Sequence, residues 1–128
     1  MRLLFLVLLI CIWSIPVFAT EKDVQKCICK GLKQEVILPS GARADCVSKE
    51  FAIEIDHSDK WAESIGQSLL YAGELNLTPM IYLYCEKDTP IDTCITHINR
   101  MAMAIAYHHL PIHFRVWLED DALRACNN

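Results

Sequence analysis

The sequence predicts an α/β fold, a mixed central sheet flanked by helices and stabilised by disulfides. Two observations carry that reading. Segments of helical period and segments of strand period follow one another in the order helix, three strands, helix, strand, helix, strand, which suits helices packed on a sheet. The chain also holds seven cysteines in 128 residues, more than a reduced intracellular domain of this size would carry.

The first segment is expected to be removed. Arg2 precedes the apolar run Leu3 to Ile12, and Pro16 precedes the small-residue site Val17-Phe18-Ala19. That pattern is a secretory signal peptide over residues 1–19, and the run is too short for the roughly 20 apolar residues of a membrane span. Residues 20–128 would then form one exported domain, periplasmic or secreted, with no membrane anchor. Losing Arg2 takes the formal charge from −4 to −5, which favours solubility and gives no global attraction to nucleic acid. Losing Cys11 leaves an even set: Cys27, Cys29, Cys46, Cys85, Cys94 and Cys126. Such a set in a small exported domain argues for disulfides. Cys85 and Cys94 flank a short connection and make the preferred pair, while Cys27 and Cys29 are expected to go to different partners.

Glu21 to Lys33 has helical period with Val24, Cys27 and Ile28 inward, and Lys22, Lys26, Lys30 and Lys33 make a basic stripe. Glu35 to Leu38 is a short strand, turned by Pro39-Ser40-Gly41 into a second strand around Asp45. Phe51 to Asp56 alternates, so Phe51, Ile53 and Ile55 share one face and Ala52, Glu54 and Asp56 the other. A two-residue loop at Lys49-Glu50 pairs Ser48 with Phe51, and that register sets Asp45 opposite Glu54 and Arg43 opposite Asp56. Ser58 or Asp59 is the expected cap of a helix that starts near Lys60 and frays near Gly73. On it Lys60, Gln67 and Tyr71 share one stripe, and Trp61, Ile65, Leu69 and Ala72 an apolar one. Met80 to Cys85 is a nearly continuous apolar run, a strand covered on both faces. The last long helix opens with Thr89 as cap and Pro90 in its first turn, and turns Ile91, Ile95, Ile98, Ala102 and Ile105 inward. Pro111 stops it, Ile112 to Leu118 forms a final strand, and Glu119-Asp120-Asp121 belongs to a surface tail.

Two opposed carboxylates on one sheet face repel unless a cation sits between them. Asp45, Glu54 and Asp56 are therefore the candidate metal set, and hard oxygen ligands suit magnesium or manganese. Lys60 faces the same region and would stabilise developing negative charge. A zinc site among Cys94, His97, His108, His109 and His113 has poor spacing, because a helical ligand pair is one turn apart. Cys27-x-Cys29 lacks the two-residue spacer of a redox dithiol.

The order αβββαβ, an Asp on the second strand, Glu54-x-Asp56 on the third and Gln67-x-x-x-Tyr71 on the next helix resemble the PD-(D/E)xK nuclease superfamily, with the extra motif of its RecB-like branch. The resemblance covers most of the chain after the leader. It implies a restriction endonuclease-like fold and metal-dependent hydrolysis of DNA or RNA, with Asp45 and Glu54 as magnesium ligands. Lys60 would serve as the catalytic lysine, with Gln67 and Tyr71 beside the site. The superfamily places lysine two residues after the glutamate. Here that position is Asp56, so Lys60 would have to supply the ammonium from the helix. The alternative is an exported binding module on the same fold with an inactive site.

Overall fold

In the computed structural model the described residues are 19–127, so the leader assigned to residues 1–19 lies almost wholly outside them. The elements run α1 (Glu21–Ile28), β1 (Lys33–Ile37), β2 (Arg43–Val47), β3 (Phe51–His57), α2 (Trp61–Leu75), β4 (Thr78–Cys85), α3 (Ile91–Tyr107), β5 (His113–Leu118) and α4 (Glu119–Arg124). The five strands form one mixed sheet in sequential order: β1, β2 and β3 are antiparallel, and β3, β4 and β5 are parallel. Each parallel step needs a crossover, which α2 and α3 provide.

Alternation along the strands sorts the core into two layers. Ile53, Ile55, Met80 and Tyr84 point to one face and meet Val24 of α1 and Ala122 of α4. Ile81 and Leu83 point to the other and meet Met101 of α3 together with Trp61, Ile65 and Leu69 of α2. Ala44 and Ala52, on that second side, pack against Tyr71 and Ala72 of α2. Thus α1 and α4 cover one face of the sheet, and α2 and α3 the other. Three disulfides join Cys27 to Cys126, Cys29 to Cys46, and Cys85 to Cys94, as the even set of cysteines and the short 85–94 connection lead one to expect.

Several boundaries differ from expectation, each for a local reason. The first helix stops at Ile28, because Gly31 (φ 80°) turns the chain and Lys33 already pairs with Val47. A short 3-10 turn at Ser58–Lys60 precedes α2, whose start has no side-chain cap. Pro90 rather than Thr89 occupies the cap position of α3. The last acidic residues form α4 instead of a tail, with carboxylates in its first turn. The stripe expected to face inward on α3 is also rotated. Cys94 and Met101 are buried, whereas Ile91 and Ile95 are 55% and 47% exposed. The Cys85–Cys94 disulfide and a contact between Ser58 Oγ and His97 Nδ1 (3.2 Å) set that rotation.

Candidate active site

The site forms where β2 parts from β3. The hairpin has the expected register: Ser48 N–H donates to the Phe51 carbonyl (2.9 Å), Cys46 pairs with Ile53 and Val47 with Ala52. Pairing ends there. Glu35 of β1 takes a left-handed conformation (φ 53°), a bend in the strand next to β2, and β2 leaves the β3 ladder beyond Cys46. Asp45 therefore does not lie opposite Glu54 in a ladder. Its side chain reaches across the opening, and Ile55 N–H donates to its Oδ2 at 2.7 Å. Arg43 is likewise not opposite Asp56; it pairs with Ile37, and its Nε lies 2.6 Å from Glu35 Oε2. The bend is braced from the α1 side of the sheet. Gln25 Nε2 donates to the Asp45 carbonyl (3.0 Å) and to Glu35 Oε1 (3.1 Å), and the Cys29–Cys46 disulfide ties the end of α1 to the neighbouring residue of β2.

Period-2 alternation sends Ala52, Glu54 and Asp56 toward α2, as expected. There Glu54 is 5% and Asp56 3% exposed. Glu54 lies within hydrogen-bonding reach of Asp45, and its Oε2 is buried with no partner. Burial, then repulsion from Asp45 and Asp56, pushes Glu54 up to about 9. Burial also raises Asp45, to about 6, although the Ile55 N–H pulls the other way. At neutral pH the two carboxyl groups thus share one proton. Asp56 is raised by burial as well, against the pull of Lys60. The Lys60 ammonium lies 3.2 Å from Asp56 Oδ1 and 3.4 Å from Glu21 Oε2. Burial disfavours that ammonium, but the two carboxylates outweigh it and hold its pKa above the usual lysine range.

The helix wall is α2. Ser64, one turn after Lys60, donates from Oγ to Asp56 Oδ2 at 3.2 Å. Gln67 is half-buried, and its Oε1 has no hydrogen-bond partner. Tyr71 is not a solvated aromatic; it is buried against Leu38, Ala44 and Ala52. Desolvation raises its hydroxyl pKa, and the charges of Glu54 and Asp45 add to that. The structure thus brings Asp45, Glu54, Asp56, Lys60 and Tyr71 into one neighbourhood, with Gln67 between Ser64 and Tyr71 on the same helix stripe.

Four neighbours of this site were not singled out from the sequence: His57, Ser64, Glu21 and Glu86. His57 places Nε2 3.1 Å from Glu21 and Nδ1 3.0 Å from Glu86, with its ring tilted against Tyr84. Through Glu21 and Lys60 this histidine joins the Asp56 cluster. Ser64 was legible as the missing member of the Lys60–Gln67–Tyr71 stripe. Glu21 and Glu86 lie far from the motif in sequence, and only the convergence of α1 and β4 on the end of β3 places them.

Among the described residues no three His, Cys, Asp or Glu side chains are gathered into a ready-made metal cage. The cysteines at positions 27, 29 and 94 are oxidised and hold neither zinc nor a redox thiol. The donors present still suit a hard cation: a buried carboxylate oxygen of Glu54 without a partner and the Asp45 carboxylate beside it. Magnesium keeps most of its waters and accepts one or two protein carboxylates, a requirement that two such groups would meet.

No protein-family model, no curated protein and no solved structure matches the chain.

Proposed function

We propose that the protein is an exported, metal-dependent nuclease of the restriction endonuclease-like kind, hydrolysing phosphodiester bonds in DNA or RNA. The observation that carries this reading is the pair Asp45 and Glu54. Two carboxyl groups are held together out of water where strands separate, with an ammonium held against Asp56, two residues along β3 from Glu54. Such an arrangement costs stability unless a cation or a proton occupies it, and it is therefore a candidate for function. Agreement between the strand faces and the α2 stripe supports the resemblance stated above.

Bound between Asp45 and Glu54, magnesium or manganese would supply Lewis-acid polarisation of the phosphodiester and acidify a water. Both carboxylates must then be ionised, so metal binding releases the proton that they share. The Ile55 N–H fixes one oxygen of Asp45 and leaves the other free to turn toward the ligand. Lys60, anchored by Asp56 and Glu21, would stabilise the charge that develops on the phosphate. Ser64 fixes Asp56, Gln67 would offer its unpartnered amide oxygen, and Tyr71 packs on Ala44 and Ala52 on the same side of the sheet.

One observation favours a second reading, an exported binding module with an inactive site. Asp56 stands where the superfamily has lysine, and Lys60 is already neutralised by two carboxylates. A single experiment separates the two. The oxidised protein is incubated with plasmid, single-stranded DNA and RNA in magnesium, manganese or EDTA, beside Glu54→Ala. The nuclease reading requires metal-dependent cutting that the variant loses while keeping its fold. Full activity in Glu54→Ala overturns the site assignment, and no cutting in either metal transfers the conclusion to the binding module.

A further inference from the structure

We propose that β5 is a docking strand for a second copy of this chain, paired antiparallel about a two-fold axis through Val116. β5 is an edge strand, and an edge presents an unpaired row of backbone N–H and C=O groups. The opposite edge is blunted: β1 has five residues, Lys33, Gln34 and Glu35 along it, and the left-handed kink at Glu35. β5 has no kink, no proline and a single full-time charge, Arg115. It also carries three exposed apolar residues on one face. Pairing with β4 sets Phe114, Val116 and Leu118 on the α2–α3 side, level with Ile81, Leu83 and Cys85. There Phe114 is 37%, Val116 40% and Leu118 51% exposed. Ile91, at the start of α3, is exposed as well, and Ile91 and Leu118 line one open cavity of about 480 Å³.

The sequence of β5 complements itself. Identical antiparallel strands in one continuous sheet are related by a two-fold axis perpendicular to it, so a residue can face only one of its own parity. Centring on Arg115 would oppose two like charges, which is unfavourable. Centring on Trp117 would set Phe114 opposite Asp120, which belongs to α4. Centring on Val116 pairs Val116 with Val116 of the partner copy and Phe114 with its Leu118. Arg115 then meets Trp117 of that copy, a cation–π pair. All five residues from Phe114 to Leu118 join the ladder. A second copy, rather than an unrelated strand, satisfies the side-chain pattern on both faces.

Sedimentation velocity of the oxidised protein from micromolar to submillimolar concentration tests this. A monomer–dimer equilibrium is expected, and Val116→Lys should weaken it by at least about tenfold by placing two ammonium groups on the axis. Val116→Cys tests the register without adding charge. It should form an intermolecular disulfide that Arg115→Cys does not, because only residue 116 meets its own copy. Far-UV circular dichroism and melting temperature verify that each variant is folded. A monomer at every concentration, a dimer indifferent to Val116→Lys, or equal cross-linking at 115 and 116 overturns the proposal.

Discussion

The shared proton of Asp45 and Glu54 sets an unusual pH dependence of stability. In the folded protein Glu54 keeps its proton to about pH 9, while in the unfolded chain it releases it near the ordinary 4.5. Between those values the folded state binds more protons than the unfolded state, so stability falls as pH rises. The contribution is fully present below pH 4.5 and is lost through pH 9. Asp45 acts with the same sign between 3.8 and about 6. One proton corresponds to a slope of about 1.4 kcal/mol per pH unit at most, and relaxation around the charge reduces it to about 1 kcal/mol. In a domain of this size that is roughly 4 °C of melting temperature per unit. Melts in EDTA from pH 5 to 8 should therefore fall steadily. Glu54→Gln, which cannot ionise, should flatten most of the slope and melt higher than the natural protein at pH 8. A natural protein whose melting temperature is flat or rises over that range would refute the reasoning. So would a Glu54→Gln variant that keeps the full slope.

Three further outcomes follow from the same contacts. Asp45→Ala leaves the Ile55 N–H without its acceptor and should cost about 1–3 kcal/mol in urea unfolding, whereas Asp45→Asn keeps an acceptor and should cost less. Lys60→Ala leaves Asp56 buried without its cation; solvent screening at the half-exposed lysine limits the loss to about 1–3 kcal/mol, and adding Asp56→Asn should recover part of it. Opening Cys27–Cys126, which closes a span of 99 residues, should cost about 2 kcal/mol more than opening Cys85–Cys94, which closes 9, as read from denaturant midpoints of paired serine variants.

Much of the architecture was legible because periodicity and turn chemistry agreed. The Lys49-Glu50 loop fixed the hairpin register, and alternation along β3 sent Glu54 and Asp56 to one side and Ile53 and Ile55 to the other. What failed was the assumption that the register continues. Nothing in Arg43-Ala44-Asp45 announces that the ladder ends at Cys46, because the bend originates at Glu35 on another strand. The α3 stripe failed for a related reason. An apolar arc on that helix is wider than the sheet can cover, and the local pattern does not say which half is used. A covalent bond at Cys94 and the contact at His97 decide it.

Those two failures have one physical root: in each, a distant constraint overrides the local optimum. At the site, regular pairing of β2 with β3 would satisfy the Ile55 N–H by backbone. The protein instead opens the ladder and satisfies it with the Asp45 carboxylate. The opening brings a second carboxyl group beside Glu54, out of water, and once both are ionised repulsion between them drives β2 farther off. Gln25 and the Cys29–Cys46 disulfide hold β2 from the other face of the sheet against that repulsion. A covalent tie next to the bend maintains the separation without closing it, which a packed side chain there would do. The disulfide framework thus contributes more than stability to a small core. On the proposed function it keeps the Asp45 and Glu54 carboxyl groups at a spacing that a cation can bridge, and opening Cys29–Cys46 should weaken manganese binding even under conditions where the protein stays folded. Calorimetric titration of a Cys29→Ser, Cys46→Ser variant checks this, and unchanged affinity in the folded variant would show that packing alone sets the spacing.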